Sequence, residues 1–274
     1  MSLLGFRPVD DYLERPQARL AYNVDGDGDR APVVVTHSFL ASRHLEDSVG
    51  IFDWSPVRAG GHRLIRFDAR GHGESSGTPD EQAYRWPALA DDLLAVLDAA
   101  EPTGARVDAI AESTGCGTLL WAAVRAPNRF RRLVLVIPPT IGEERREQAQ
   151  IYLAGASLIE LRGAEAWKRL VDNFPPVPLL DEGGWARARS VPVSLELLPS
   201  VLRGAAESDI PSEELLSVLQ QPTLVLAWRS DPNHPDSSAR HLADALPNST
   251  IEIAEEPDDV RGWGERVARF LAED

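Results

Sequence analysis

A single cysteine, Cys116, occurs in 274 residues. No intramolecular disulfide, Cys-x-x-Cys redox pair or thiolate zinc cluster can therefore form. Positive charge is also scarce, with 28 lysines and arginines against 43 aspartates and glutamates and a net charge of −15 at pH 7. That balance argues against a nucleic-acid surface, which needs clustered cations to displace phosphate counterions, and against acidic membranes. No apolar run approaches the roughly 20 residues of a membrane helix, and the start, MSLLGFRPVDDYLERPQ, has no basic patch leading into an apolar stretch. The expectation is a cytoplasmic protein with a small-molecule substrate, no nucleic-acid or membrane partner, no metal and no cofactor. A homodimer is left open.

What remains is an ordinary globular composition, 43% hydrophobic and 26% charged. At this length one large domain, or one domain carrying an insertion, is expected. The apolar period alternates along the chain. Ala31–Thr36, Arg63–Phe67, Arg106–Ala111, Leu133–Ile137, Thr223–Ala227 and Thr250–Ile253 are short and β-branched, several of them apolar on both faces, as in a covered parallel sheet. Tyr84–Ala100, Gly115–Ala126, Ser237–Leu246 and Asp258–Leu271 repeat apolar residues at three- and four-residue spacing and predict helices. Strands alternating with helices imply a doubly wound, mostly parallel α/β sheet, with an antiparallel lead-in strand around Ala18–Asn23. From Thr140 to about Ser217 only helical stretches occur, at Glu144–Leu161, Ala164–Val171 and Val193–Gly204. The predicted organisation is a core of 1–139 and 218–274 with a helical insertion at 140–217.

The strand ending at Ala111 runs through Glu112, Ser113, Thr114 and Gly115 straight into a helix. A nucleophile elbow needs this order: small residues two positions either side of the serine relieve crowding, and the following amide, Thr114, points at a substrate oxygen near the positive helix end. Many harmless turns also read small-x-Ser-x-small, so the strand-to-helix context carries the inference.

With these residues the chain resembles the α/β-hydrolase superfamily over nearly its whole length. Val33–Phe39 (VVVTHSF) looks like the strand and His-Gly loop of the family, with Ser38 in place of glycine. The resemblance makes the Phe39 N–H the second oxyanion donor and gives the His37 position a role in shaping that loop. Asp68–Ser75 (DARGHGES) is similar to a characteristic family turn, which implies fold roles for Arg70 and His72. Leu224–Pro235 (LVLAWRSDPNHP) resembles the strand and acid loop, with Asp231 at the carboxylate position. An Asp-Pro turn without chemistry is the other reading. The insertion falls where the family carries a cap, so Trp167, Phe174 and Trp185 are candidates for the pocket lining or for the cap's own core.

One element is missing. A serine hydroxyl needs a base, and the family's histidine follows the last strand. Here Ala254–Val260 (AEEPDDV) holds none, and Asp258 and Asp259 read as caps of the final helix. Of the six histidines, His62 precedes its strand at the wrong end of the sheet, His241 lies in an outer helix, and His37 and His44 read as structural. His234 is the best replacement, at the top of the sheet, although it also suits a turn that starts the next helix. Asp231, only three residues earlier, is expected to be too near to orient it in the usual way. Glu112 is a second candidate base if a dry pocket raises its pKa, but a hydrogen-bonded residue beneath the elbow is the preferred reading. Cys116 reads as a packed small hydrophobe.

The expected function is therefore hydrolysis of a small ester, lactone or thioester by Ser113 with an atypical or incomplete triad. Two alternatives keep the pocket: a lyase, cyclase or isomerase that uses the oxyanion site, and a ligand-binding relative without chemistry.

Overall fold

Runs that are apolar on both faces need cover on both sides, and the sheet receives it. The computed structural model describes residues 10–172, 177–186 and 191–273. Eight strands form one sheet: β1 (Asp11–Arg15), β2 (Ala18–Asp25), β3 (Val33–Thr36), β4 (Leu64–Phe67), β5 (Val107–Glu112), β6 (Phe130–Val136), β7 (Thr223–Trp228) and β8 (Ser249–Ala254). Their order is β1-β2-β4-β3-β5-β6-β7-β8. The β1–β2 and β2–β4 pairs are antiparallel, and every later pair is parallel. The predicted lead-in strand is thus the second arm of a hairpin whose first arm, β1, is mostly exposed and offers little apolar signal.

Alternate residues of a strand face opposite sides, and the core divides accordingly. Val34, Ile65 and Phe67 pack with Leu93, Leu97, Leu119, Leu120 and Leu242 from the helices Trp86–Ala100, Thr114–Arg125 and Asp236–Ala245. Val33, Val35 and Leu64 pack on the other face with Val57, Val267 and Phe270, from the helices Ser55–Ala59 and Trp263–Ala272.

Two predicted helices are broken. Arg85, in extended backbone two residues before Pro87, separates a short 3-10 turn at Glu81–Tyr84 from the helix that begins at Trp86. Gly262 separates Pro257–Arg261 from Trp263–Ala272. At the start of Pro257–Arg261 the Glu256 N–H donates to Asp259 Oδ2 at 3.0 Å and the Glu256 carbonyl accepts from Asp259 N at 3.1 Å, while Asp258 pairs with Arg261.

Between β6 and β7 the described residues form helices at Gly142–Arg162, Ala164–Asp172, Pro178–Glu182, Leu198–Ala206 and Glu213–Leu216, with no strand. Val193, expected in a helix, instead bridges to His72, and Gly73 N donates to Pro192 O at 2.7 Å. The Asp68–Ser75 turn therefore anchors this helical segment to the sheet. Ala156, Ile159, Trp167, Val201 and Leu202 form its core with Tyr84. Trp167 is buried there, and Trp185 donates to Gly50 O at 3.1 Å. Phe174 lies outside the described residues. No described helix is long and apolar enough to cross a membrane.

Candidate active site

The carboxyl ends of β3, β5 and β7 open on the same side of the sheet, where ligands of open α/β sheets collect. Ser113 follows β5 with φ 50° and ψ −118°, a positive φ that a residue with a Cβ adopts only under tertiary constraint. Its N–H donates to Val136 O and its carbonyl accepts from Cys116 N, both at 2.9 Å. Gly115 shows why a small residue is required: a Cβ there would collide with Thr36 Oγ1 and come within 3.1 Å of His37 O. Cys116 is fully buried with its thiol on Ala111 O at 3.1 Å, and burial pushes its pKa up, so it stays a neutral thiol.

Ser113 Oγ lies 2.8 Å from His234 Nε2, and His234 Nδ1 lies 2.8 Å from Asp231 Oδ2. An ionised carboxylate only accepts, so the imidazole hydrogen belongs on Nδ1 and Nε2 faces the serine hydroxyl as an acceptor. Burial opposes charge on Asp231, yet hydrogen bonds from His234, from Trp228 Nε1 at 2.9 Å and from Asn233 N at 2.9 Å hold its pKa below the usual carboxylate value.

The expectation that Asp231 stands too near His234 to orient it is wrong. Asp231 O accepts from His234 N at 3.2 Å, and Ser230 adopts a left-handed φ of 62°. The chain thereby doubles back within three residues, and the two side chains converge. Asp231 Oδ1 takes the turn amide and leaves Oδ2 for the imidazole and the indole.

Phe39 and Thr114 flank a cavity also walled by Thr36, His72, Tyr84, Trp86 and Val201. Among the described residues, neither the Phe39 nor the Thr114 backbone N–H has an internal acceptor, so both are available to an oxygen. His37 sits beneath the loop: its Nε2 accepts from Ala69 N at 2.8 Å, which places the hydrogen on Nδ1, 2.8 Å from Ser38 O. Burial lowers its pKa and keeps it neutral. His72 is likewise buried, with its pKa lowered to about 3, and donates through Nδ1 to Arg70 O.

Glu112 is buried and accepts from Trp54 Nε1 at 2.9 Å. The serine hydroxyl's side-chain partner is His234, and Glu112 meets the Trp54 indole instead. His62 bonds Ala31 O, His44 lies near Glu74, and His241 pairs with Glu213. All three are away from Ser113. Trp228, Trp54 and Glu46 were absent from the sequence expectations. Trp228 had one available signal, its place three residues before Asp231 at the end of an apolar strand, whereas Glu46 had none.

Residues 31–257 match the family model described as alpha/beta hydrolase fold. The chain belongs to the α/β hydrolase fold family. It is 26% identical over 259 residues to 3-oxoadipate enol-lactonase 2 of Acinetobacter baylyi, covering 89% of this chain and 88% of that protein. It is 27% identical over 234 residues to the rhodomycin D methylesterase DauP of Streptomyces sp., covering 71% and 74%. The crystal structure of the enol-lactonase from Burkholderia xenovorans superposes with a TM-score of 0.76 over 96% of this chain and all of that one, at 20% identity. Against the α/β hydrolase expectation of a histidine after β8, this chain places Glu255 and Glu256 there, with both amides bound to Asp259 Oδ2.

Proposed function

We propose that this α/β hydrolase is a serine hydrolase of small esters or lactones whose base comes from the acid loop, with Ser113 as nucleophile, His234 as base and Asp231 as its orienting carboxylate. The continuous hydrogen-bond chain from Ser113 Oγ through His234 to Asp231 carries this reading.

In the first half-reaction Ser113 Oγ bonds to the acyl carbon while its proton passes to His234 Nε2. The carbonyl oxygen takes up the displaced electron pair and is stabilised by the Phe39 and Thr114 N–H groups. Collapse breaks the acyl–oxygen bond, and the leaving oxygen takes the proton from His234. Water then repeats the sequence on the acyl-enzyme and frees Ser113. The Asp231 carboxylate holds the ring in the required tautomer and stabilises the imidazolium that forms. The names of the enol-lactonase and methylesterase relatives favour an oxygen ester, open-chain or cyclic, over a thioester.

A fluorophosphonate probe is expected to label Ser113, and His234→Ala is expected to abolish labelling and turnover of p-nitrophenyl acetate. Wild-type turnover persisting in His234→Ala overturns the assignment of the base. Turnover of a substrate unaffected by Ser113→Ala would favour the lyase, cyclase or isomerase chemistry instead.

A further inference from the structure

The carboxyl groups of Glu46 and Glu112 neighbour each other next to the segments that carry Phe39 and Ser113. Glu112 immediately precedes Ser113, and its Oε1 accepts from Trp54 Nε1 at 2.9 Å. Glu46, on the helix Arg43–Val49, accepts through Oε1 from the N–H of Ser38 at 2.7 Å. Ser38 in turn precedes Phe39, whose amide is one of the two free donors. Glu112 Oε2 is buried with no partner at normal hydrogen-bond distance. The Glu112 carboxyl neighbours the Glu46 carboxyl and the Ser38 side chain.

We propose that Glu46 and Glu112 share one proton and together act as a positioning pair that clamps the Ser38–Phe39 loop to the Ser113 elbow. A half-buried Glu46 carboxylate beside the buried Glu112 carboxylate is repelled and poorly solvated, whereas a carboxyl donating to a carboxylate satisfies the orphaned oxygen and joins the two segments. Burial and the neighbouring Glu112 push the Glu46 pKa well above the usual carboxylate value, and burial also raises that of Glu112. Among the described residues the cation that acts on both carboxyls is Arg66 of β4, itself held by Asp47 at 2.8 Å, and the Cys116 thiol is a further titratable neighbour of Glu112. Loss of the shared proton therefore leaves two adjacent negative charges, separates the carboxyls and loosens the Phe39 donor.

The inference rests on the hydrolase reading for its kinetic consequences but not for the shared proton. Glu46→Gln can accept from Ser38 and donate to Glu112 without titrating. It is expected to keep turnover near neutrality and to lack the alkaline decline of the wild type. Glu46→Leu removes the acceptor that holds the Ser38 amide and is expected to lose about 10-fold in kcat with KM nearly unchanged. An alkaline decline identical in wild type and Glu46→Gln overturns the proposal, even if Glu46→Leu fails to fold.

Infrared difference spectroscopy supplies the independent arm. A protonated-carboxyl band at pH 7 in the wild type that disappears in Glu46→Gln supports the pair, and its absence from the wild type overturns it. A wild type that shows this band but neither turns over esters nor labels at Ser113 would refute the hydrolase reading while leaving the pair intact.

Discussion

At the scale of single residues, Asp231 serves three donors: the imidazole of His234, the indole of Trp228 and the amide of Asn233. The first selects the tautomer, and all three, His234 foremost, keep the carboxylate ionised. Asp231→Asn presents an N–H or a weaker acceptor to Nδ1 and permits the wrong tautomer. It is expected to lower kcat by about 10⁴-fold, a loss typical of that change in a serine triad. Trp228→Phe keeps the ring but removes its donor, and a loss of about 10-fold in kcat is expected. Both are measured as kcat and KM for p-nitrophenyl acetate, and a Trp228→Phe enzyme of unchanged kcat would show that the indole bond is dispensable. The local string Leu224–Pro235 makes His234 a candidate, but its contact with Ser113 lies outside any local pattern. Ser113 and His234 are 121 positions apart; the sequence put both at the same end of the sheet and made His234 the best candidate base, and the contact itself is tertiary.

At the scale of elements, the elbow was the most legible feature, because its requirements are local: a buried strand, a serine in a strained turn, small neighbours and a helix. Gly115 fits because β3 passes so close. Gly115→Ala is expected to destabilise the protein by about 1–3 kcal/mol through overpacking against Thr36. It should also slow Ser113 labelling by displacing the His37–Phe39 loop. A denaturation midpoint and labelling rate equal to the wild type would contradict this account. At the Asp231–His234 turn, sequence separation is no measure of side-chain geometry. The backbone at Ser230 and the Asp231–Asn233 bond decide that geometry instead. The breaks at Arg85 and Gly262 follow the same lesson, since apolar spacing continues across both while the backbone does not.

At the scale of the whole molecule, a buried ion cluster ties the antiparallel edge to the parallel sheet. Asp92, 1% exposed, accepts from Arg70 through both oxygens at 2.9 and 3.0 Å and from Arg15 at 3.0 Å. The cluster therefore joins the β1 hairpin, the Asp68–Ser75 turn and the helix Trp86–Ala100. Removing one partner strands a buried cation, so Asp92→Ala is expected to cost about 3–5 kcal/mol, read as a lowered urea midpoint. A shift below about 1 kcal/mol would place Arg70 in effective contact with solvent. The same turn, through His72 and Gly73, holds the segment around Val193 against the sheet. One short motif thus joins the lead-in hairpin, the sheet and the helical segment over the site.

Sequence alone determined the doubly wound sheet, the helical stretch between β6 and β7 and the elbow at Ser113, because burial periodicity and turn chemistry are written in neighbouring residues. The sequence nominated His234 among six histidines; tertiary structure alone decided that it reaches Ser113, how Asp231 turns back onto it and that Glu46 stands opposite Glu112. These are contacts between polar side chains on separate segments. Their identity depends on hydrogen-bond reach across packed elements, to which the spacing of apolar residues is blind.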